Sequence, residues 1–317
     1  MSDPAPFHIH DKAVPPGKRS RVRIPVARLT TGEWAHLQVE IVHGSRPGPC
    51  LWLSGAIHGD ELDGLEIIRR TLDALDAGEL SGTVLGVPVV NVFGLGSENR
   101  YLPDRRDLNR SFPGGTRGSM ASRLAKLFMD EVVARSQYGL DFHCGSDGRD
   151  NHPHLRGHLK DEETKRMAQA FGAPVCIDGS GPDGSLRRAA VKAGARVLVF
   201  EGGEALRFTP SAIEAGVSGS LRVLEALGMI EDAGVEEAPP TVEAKKTRWV
   251  RATRSGIFRG KVTLGDEVRK GQKVGVIADL LGQDGKAVVS RSNGIVIGRR
   301  INPLVHQGEA VVHIAEV

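Results

Sequence analysis

The sequence predicts an α/β fold: a central sheet, mostly parallel or mixed, flanked by helices, with a small C-terminal β domain after it. Three observations carry that prediction. Apolar runs at residues 51–57, 84–93, 139–143 and 196–200 look buried on both faces and alternate with segments of helical periodicity, the pattern of a sheet covered on both sides. Residues 231–246, with Pro239-Pro240 and many charges, have a linker's composition. Beyond the linker a short β-like unit recurs, with Gly256 followed by Gly271 after 15 residues and Gly294 followed by Gly308 after 14, which predicts a small pseudo-symmetric barrel or sandwich. The domains are therefore placed at 1–235 and 247–317.

Taken in order, Val22, Ile24 and Val26 alternate with other residues, as do Leu37, Val39 and Ile41, so two half-buried strands flank the Thr30-Thr31-Gly32 turn. Pro25 confines the first of them to a sheet edge. The run at 51–57 leads into His58-Gly59-Asp60-Glu61 and then Leu62, Leu65, Ile68, Leu72 and Leu75, a strand, a loop and a helix. Further helices are predicted at 120–134, 162–171 and 210–227.

Composition excludes several functions. Forty-two Lys and Arg against 39 Asp and Glu leave +3 with no basic tract, and aromatics are 4%, so a nucleic-acid partner is not expected. Residues 80–97 carry no charge, but four Gly, one Pro and one Asn make them a poor bilayer-spanning helix, and no membrane partner is expected. Cys50, Cys144 and Cys176 cannot form a disulfide framework, and residues 1–10 do not read as an export signal, which together point to the cytoplasm. Homo-oligomerisation is left open.

His58 and Glu61 sit three apart where a strand hands over to a helix, so both side chains can meet above the strand end. Imidazole and carboxylate suit Zn²⁺, and a catalytic zinc takes three protein ligands plus a water, so a third ligand is required. His143 ends the strand at 139–143 and supplies one, with Asp141 placed to orient it. His-x-x-Glu alone is a weak signal; its weight comes from His143 and Glu201 at other strand ends. Glu201 follows four apolar residues at a strand mouth and is the candidate general base. Residues 99–113 hold four Arg and two Asp; within them Asn109 and Arg110 suit a substrate carboxylate, and Arg100 can face charge developing on a scissile carbonyl. His152, His154 and His158 form a rival cluster, expected in a loop or cleft rim because Gly and Pro surround it. Cys144 is expected to be a buried bystander, pointing away from its neighbour His143.

With these residues in place, His58-Gly59-Asp60-Glu61, Asp107-Leu108-Asn109-Arg110-Ser111-Phe112, Asp141-Phe142-His143 and Glu201, in that order, resemble the succinylglutamate desuccinylase/aspartoacylase family of zinc-dependent deacylases, relatives of the zinc carboxypeptidases. The likeness runs from about residue 21 to residue 227. It implies a carboxypeptidase-like fold and one zinc per chain held by His58, Glu61 and His143. It also implies Glu201 as general base, Arg100 as carbonyl polariser, and Asn109 with Arg110 at the substrate carboxylate. The expected reaction is removal of an acyl group from an N-acylated amino acid or similar small molecule. A metallo-carboxypeptidase acting on peptides and a non-catalytic carrier are the alternatives. Residues 247–317 resemble a biotinyl/lipoyl-like module; Lys286 falls near the usual modified position but lacks the flanking methionines of a biotinylation site, so its modification is not expected.

Overall fold

The computed structural model describes residues 4–146 and 148–317. A short antiparallel pair, β1 (Phe7–Ile9) and β2 (Lys12–Val14), precedes the long hairpin of β3 (Lys18–Arg28) and β4 (Trp34–His43). The main α/β body follows as β5 (Arg46–Ser54), α1 (Asp63–Asp73), β6 (Ser81–Val87), α2 (Val92–Gly96), α3 (Met120–Glu131) and β7 (Tyr138–Gly145). It is completed by β8 (Arg149–Gly157), α4 (Glu162–Phe171), β9 (Val175–Asp178), α5 (Leu186–Lys192), β10 (Arg196–Glu204) and α6 (Pro210–Ala226). The remaining strands are β11 (Val242–Ala244), β12 (Lys246–Arg251), β13 (Gly256–Gly260), β14 (Glu267–Val268), β15 (Lys273–Ala278), β16 (Lys286–Val289), β17 (Gly294–Arg300), β18 (Leu304–Val305) and β19 (Ala310–Glu316).

One large mixed sheet runs in the order β12-β19-β17-β8-β10-β7-β5-β6-β4-β3. Within it β5, β6, β7 and β10 are mutually parallel, while β8, β17 and β19 join antiparallel. Helices cover both faces, because alternate residues of each central strand are apolar in both directions. Leu51, Leu53, Leu140, Phe142 and Phe200 pack under α1, α4 and α6. Trp52, Leu85 and Val197 face the other way, against α3 and α5. Gly139 is required here: a Cβ on it would collide with the Trp52 indole on the neighbouring strand.

Strand pairing crosses the linker placed by sequence at residues 231–246. β11 pairs with β9, and β17 pairs with β8 through Gly298 opposite Asn151 and Arg300 opposite Arg149. The C-terminal strands therefore extend the main sheet, and a second sheet, β16-β15-β13-β18, shares their core of Phe258, Val274, Ile277, Val296, Val311 and Ile314. No described helix is long and apolar enough to cross a membrane.

Two expectations need correction. The run at 84–93 is strand only to Val87, because Pro88 carries no N–H for the ladder and the Asn91 side chain accepts from Gly94 N, capping α2. His152 and His154 lie in strand β8 and not in a loop. The register shift opposite Glu201 and Gly203 leaves Pro153 outside the ladder, so the strand tolerates it. The expected edge position of Pro25 does hold: β3 ends the sheet, with a register shift at Pro25 and Ala27.

Candidate active site

The carboxyl ends of the parallel strands β5, β7 and β10 meet on one side, where α/β sites form. On β7, Leu140 and Phe142 face the core under α1, so Asp141 and His143 face the opposite side. Glu201 stands beside His143 in the parallel register of β10 with β7. His58 and Glu61 come from the loop between β5 and α1. That loop lies so close to α2 that a Cβ on Gly59 would overlap the backbone of Gly94, and Gly59 N donates to Asn99 O at 3.0 Å.

Three of the sequence-selected residues converge. His58, Glu61 and His143 are all buried, and one ligand atom from each lies within 4.8 Å of the others, a group that could hold a metal ion. His58 Nδ1 is 2.7 Å from Glu61 Oε1, and His143 Nδ1 is 2.7 Å from Glu61 Oε2. The far nitrogens are anchored: His58 Nε2 is 3.2 Å from Asp107, and His143 Nε2 is 2.9 Å from Asp141, which accepts from the Ser54 hydroxyl at 2.8 Å. Each imidazole thus has a carboxylate behind it and its Nδ1 turned to the common point, the arrangement that fixes the tautomer of metal-binding histidines. Burial alone would push the Glu61 carboxyl up, but the two imidazoles against it hold it well below the usual carboxylate range. It is therefore an ionised donor, and the set of two nitrogens and a carboxylate fits zinc.

Arg100 reaches the same point, with its guanidinium 3.5 Å from Glu61 Oε1 and 2.9 Å from Asp107 Oδ2. Burial opposes the Asp107 charge, yet His58 and Arg100 hold its carboxyl well below the ordinary value. Glu201 lines the cleft with its Oε2 accepting from Asn151 Nδ2 at 3.0 Å and its Oε1 3.7 Å from Arg156. Asn109 and Arg110 also line it; Asn109 Oδ1 accepts from Leu186 N at the start of α5, and Arg110 is exposed, donating to the carbonyl of Asn109. The whole cleft encloses about 350 Å³, the scale of a small molecule.

Cys144 lies at the cleft, buried, with its thiol pushed well up by burial and then by Glu61. It is no thiolate nucleophile. His152 and His158 are not cleft residues among those described, and His154 lies buried on β8, its Nδ1 donating to His152 O. None of the three belongs to the metal group.

The wall opposite the metal group was not foreseen. Arg149, Asn151 and Arg156 come from β8, Arg187 from α5, and Thr247, Trp249 and His313 from the C-terminal strands β12 and β19. Arg187 is 8% exposed, Nη1 has no partner, and burial followed by repulsion from Arg156 pushes its guanidinium down to about 10. The Ser185 N-cap fixes the start of α5 and so the place of Arg187, the one local signal that could have singled it out.

Comparison with known proteins agrees with this geometry. Residues 47–227 match the model of the succinylglutamate desuccinylase/aspartoacylase catalytic domain. The chain belongs to that family. It is 29% identical over 311 residues to the N-alpha-acetyl-L-2,4-diaminobutyric acid deacetylase of Halomonas elongata, covering 93% of this chain and 90% of that one. Among solved structures, the succinylglutamate desuccinylase/aspartoacylase from Rhodobacter sphaeroides superposes with a TM-score of 0.83 at 27% identity, covering 94% of this chain and 95% of that one. The product-bound ectoine utilization protein EutE from Ruegeria pomeroyi has a TM-score of 0.85 at 24% identity over 96% and 97%, a likeness of fold. These matches span the C-terminal strands as well as the family domain.

Proposed function

We propose that this family member is a zinc-dependent amidohydrolase that removes the acyl group from an N-acylated amino acid or a similar small carboxylate. The observation that carries the reading is the convergence of His58 Nδ1, Glu61 and His143 Nδ1 at the carboxyl ends of parallel strands, with Arg100 beside them and Glu201 in the same cleft. His58, Glu61 and His143 hold the zinc. The ion supplies Lewis acidity, lowering the pKa of water toward ~7 and polarising the scissile carbonyl.

The chain's own groups do the rest. Glu201, held by Asn151, takes a proton from the attacking water and returns it to the leaving amine. Arg100, braced by Asp107, places a guanidinium where negative charge develops on the carbonyl oxygen. Asn109, Arg110 and Arg187 line the cleft as donors for the carboxylate of the amino acid. The deacetylase relative supports acyl removal from an amino-acid derivative. The test is amine release from N-acetyl amino acids and from dipeptides by the metal-loaded protein. Release from the former and little from the latter is expected; peptides as the faster substrates would make it a carboxypeptidase, and release from neither would remove the proposal.

A further inference from the structure

Asp63 is a buried acid that acyl removal, as described above, leaves without a role. It opens α1 two positions beyond Glu61, is 1% exposed, and does not line the cleft. A carboxylate there suits the helix N-terminus, yet its side chain reaches across to the start of α6, where Asp63 Oδ1 accepts from Thr209 N at 2.8 Å. The Thr209 hydroxyl in turn accepts from Glu204 N at 3.2 Å and closes the turn between β10 and α6. Asp63 Oδ2 has no hydrogen-bond partner and lies against Gly203, where a Cβ would collide with it. Gly203 has a φ of +86°, so both its backbone and its missing side chain suit this approach.

The contact gains its meaning from where the β10 ladder stops. Residues 196–201 are held on both sides, by β7 in parallel and by β8 in antiparallel register, and both registers slip directly after Glu201. A bulge of this kind re-aims the side chain beside it. Past the slip the chain is tied back to the metal side at three points. Ala205 N donates to Gly145 O at 3.0 Å, Leu206 N to Asp60 O at 2.8 Å, and Thr209 N to Asp63. The first two ties join backbone to backbone, whatever the side chains; the third depends on one carboxylate. Helices α1 and α6 do not need it to stay together, since Ile67 packs so closely on α6 that a Cβ on Gly216 would overlap it. The Asp63 tie therefore acts locally, on the segment that follows the base.

We propose that Asp63 is a positioning residue for proton transfer: by clamping residues 203–209 onto the His58–Glu61 loop and the start of α1, it fixes the bulge from which the Glu201 carboxylate is aimed into the cleft. Proton transfer works over hydrogen-bond reach, so a displacement of ~1 Å at the base costs ~10²-fold in rate. The inference rests on the deacylase reading for the role of Glu201.

Amide hydrogen exchange needs no turnover and reads the clamp itself. In zinc-loaded Asp63→Ala the amides of residues 203–209 exchange about tenfold or more faster than in the wild type, while residues 196–200 keep their protection. Unchanged exchange at 203–209 overturns the proposal. Steady-state rates read the consequence, on the N-acetyl amino acid that the wild-type protein hydrolyses fastest. Asp63→Ala lowers kcat by ~10–100-fold with KM and zinc content unchanged, and Asp63→Asn, which keeps an oxygen acceptor of the same reach, recovers most of that loss. Added to Glu201→Gln, Asp63→Ala lowers kcat by less than about twofold more, because the base through which it acts is already gone. An equal loss in both backgrounds, or loss of zinc, would place the action of Asp63 on the metal group and overturn the proposal. Gly203→Ala displaces the Asp63 carboxylate from the other side and gives the same kinetic pattern should Asp63→Ala not fold; a folded Gly203→Ala protein with the wild-type kcat overturns the proposal. Failure of the wild-type protein to hydrolyse any N-acetyl amino acid would instead sink the deacylase reading, with the exchange result still deciding whether Asp63 holds the segment.

Discussion

The two walls of the cleft differ in how far the protein satisfies itself. On the metal side every imidazole nitrogen of His58 and His143 has a partner, and Asp107 and Asp141 stand behind them with partners of their own. On the facing wall His313 Nε2 and a nitrogen each of Arg149, Arg156 and Arg187 have none. A closed network fixes geometry before any ligand arrives, which is what a metal site needs to discriminate by position. An open set of donors has its acceptor still to come, which is what recognition of an anionic substrate needs. On the proposed reading, the parallel strand ends carry the chemistry, and β8 with the C-terminal strands contacts the rest of the ligand.

Perturbing each wall separately sharpens that division. The largest effect is expected from Glu201→Gln, a loss of ~10²–10⁴ in kcat for removal of a general base, with zinc still bound; steady-state rates beside metal analysis check it, and an unchanged kcat would take Glu201 out of proton transfer. Arg100→Ala is expected to lower kcat by ~10²–10³ and to raise KM less than that. A rise in KM alone would make Arg100 a binding residue. Asp141→Asn removes the charge behind His143 and is expected to weaken metal affinity by ~10–100-fold, read by chelator competition. Equal affinity would mean that Asp141 does not act through the ligand.

The smallest effect belongs to the facing wall and is one of stability. The unfolded chain protonates His313 below about pH 6.5, whereas the folded chain holds it neutral to about pH 3 because it is buried. The unfolded state therefore binds more protons in that window. Stability is full above pH 6.5 and falls as the pH drops toward 3, by about 2 kcal/mol between pH 7 and 5. His313→Phe keeps a ring beneath Trp249 and removes that part of the slope. Denaturant midpoints at pH 7 and pH 5 that fall equally in both proteins would contradict it.

What the sequence made legible follows the same division. His58, Glu61, Asp107, Asn109, Arg110, Asp141, His143 and Glu201 sit at strand ends or in short runs where residue type and spacing carry the chemistry, and the structure gathers them at one cleft. The strands and helices that hold them were readable because buried runs and 3.6-residue periods are local signals. Arg149, Arg156, Trp249 and His313 carry no such mark. They meet only because β8 pairs with β17 and β12 with β19, contacts between residues more than 100 positions apart on β8 and the C-terminal strands that no short-range period encodes. Pro153 had the further effect of hiding β8, since a proline inside a central strand reads as a break until a register shift is seen to absorb it.

The most direct measurement is zinc per chain in the purified protein and in His143→Ala. About one zinc per wild-type chain and its loss from the variant, with the fold intact by circular dichroism, is the predicted result. A folded His143→Ala protein that keeps its full zinc would show that the ion sits elsewhere and would contradict the three-ligand centre.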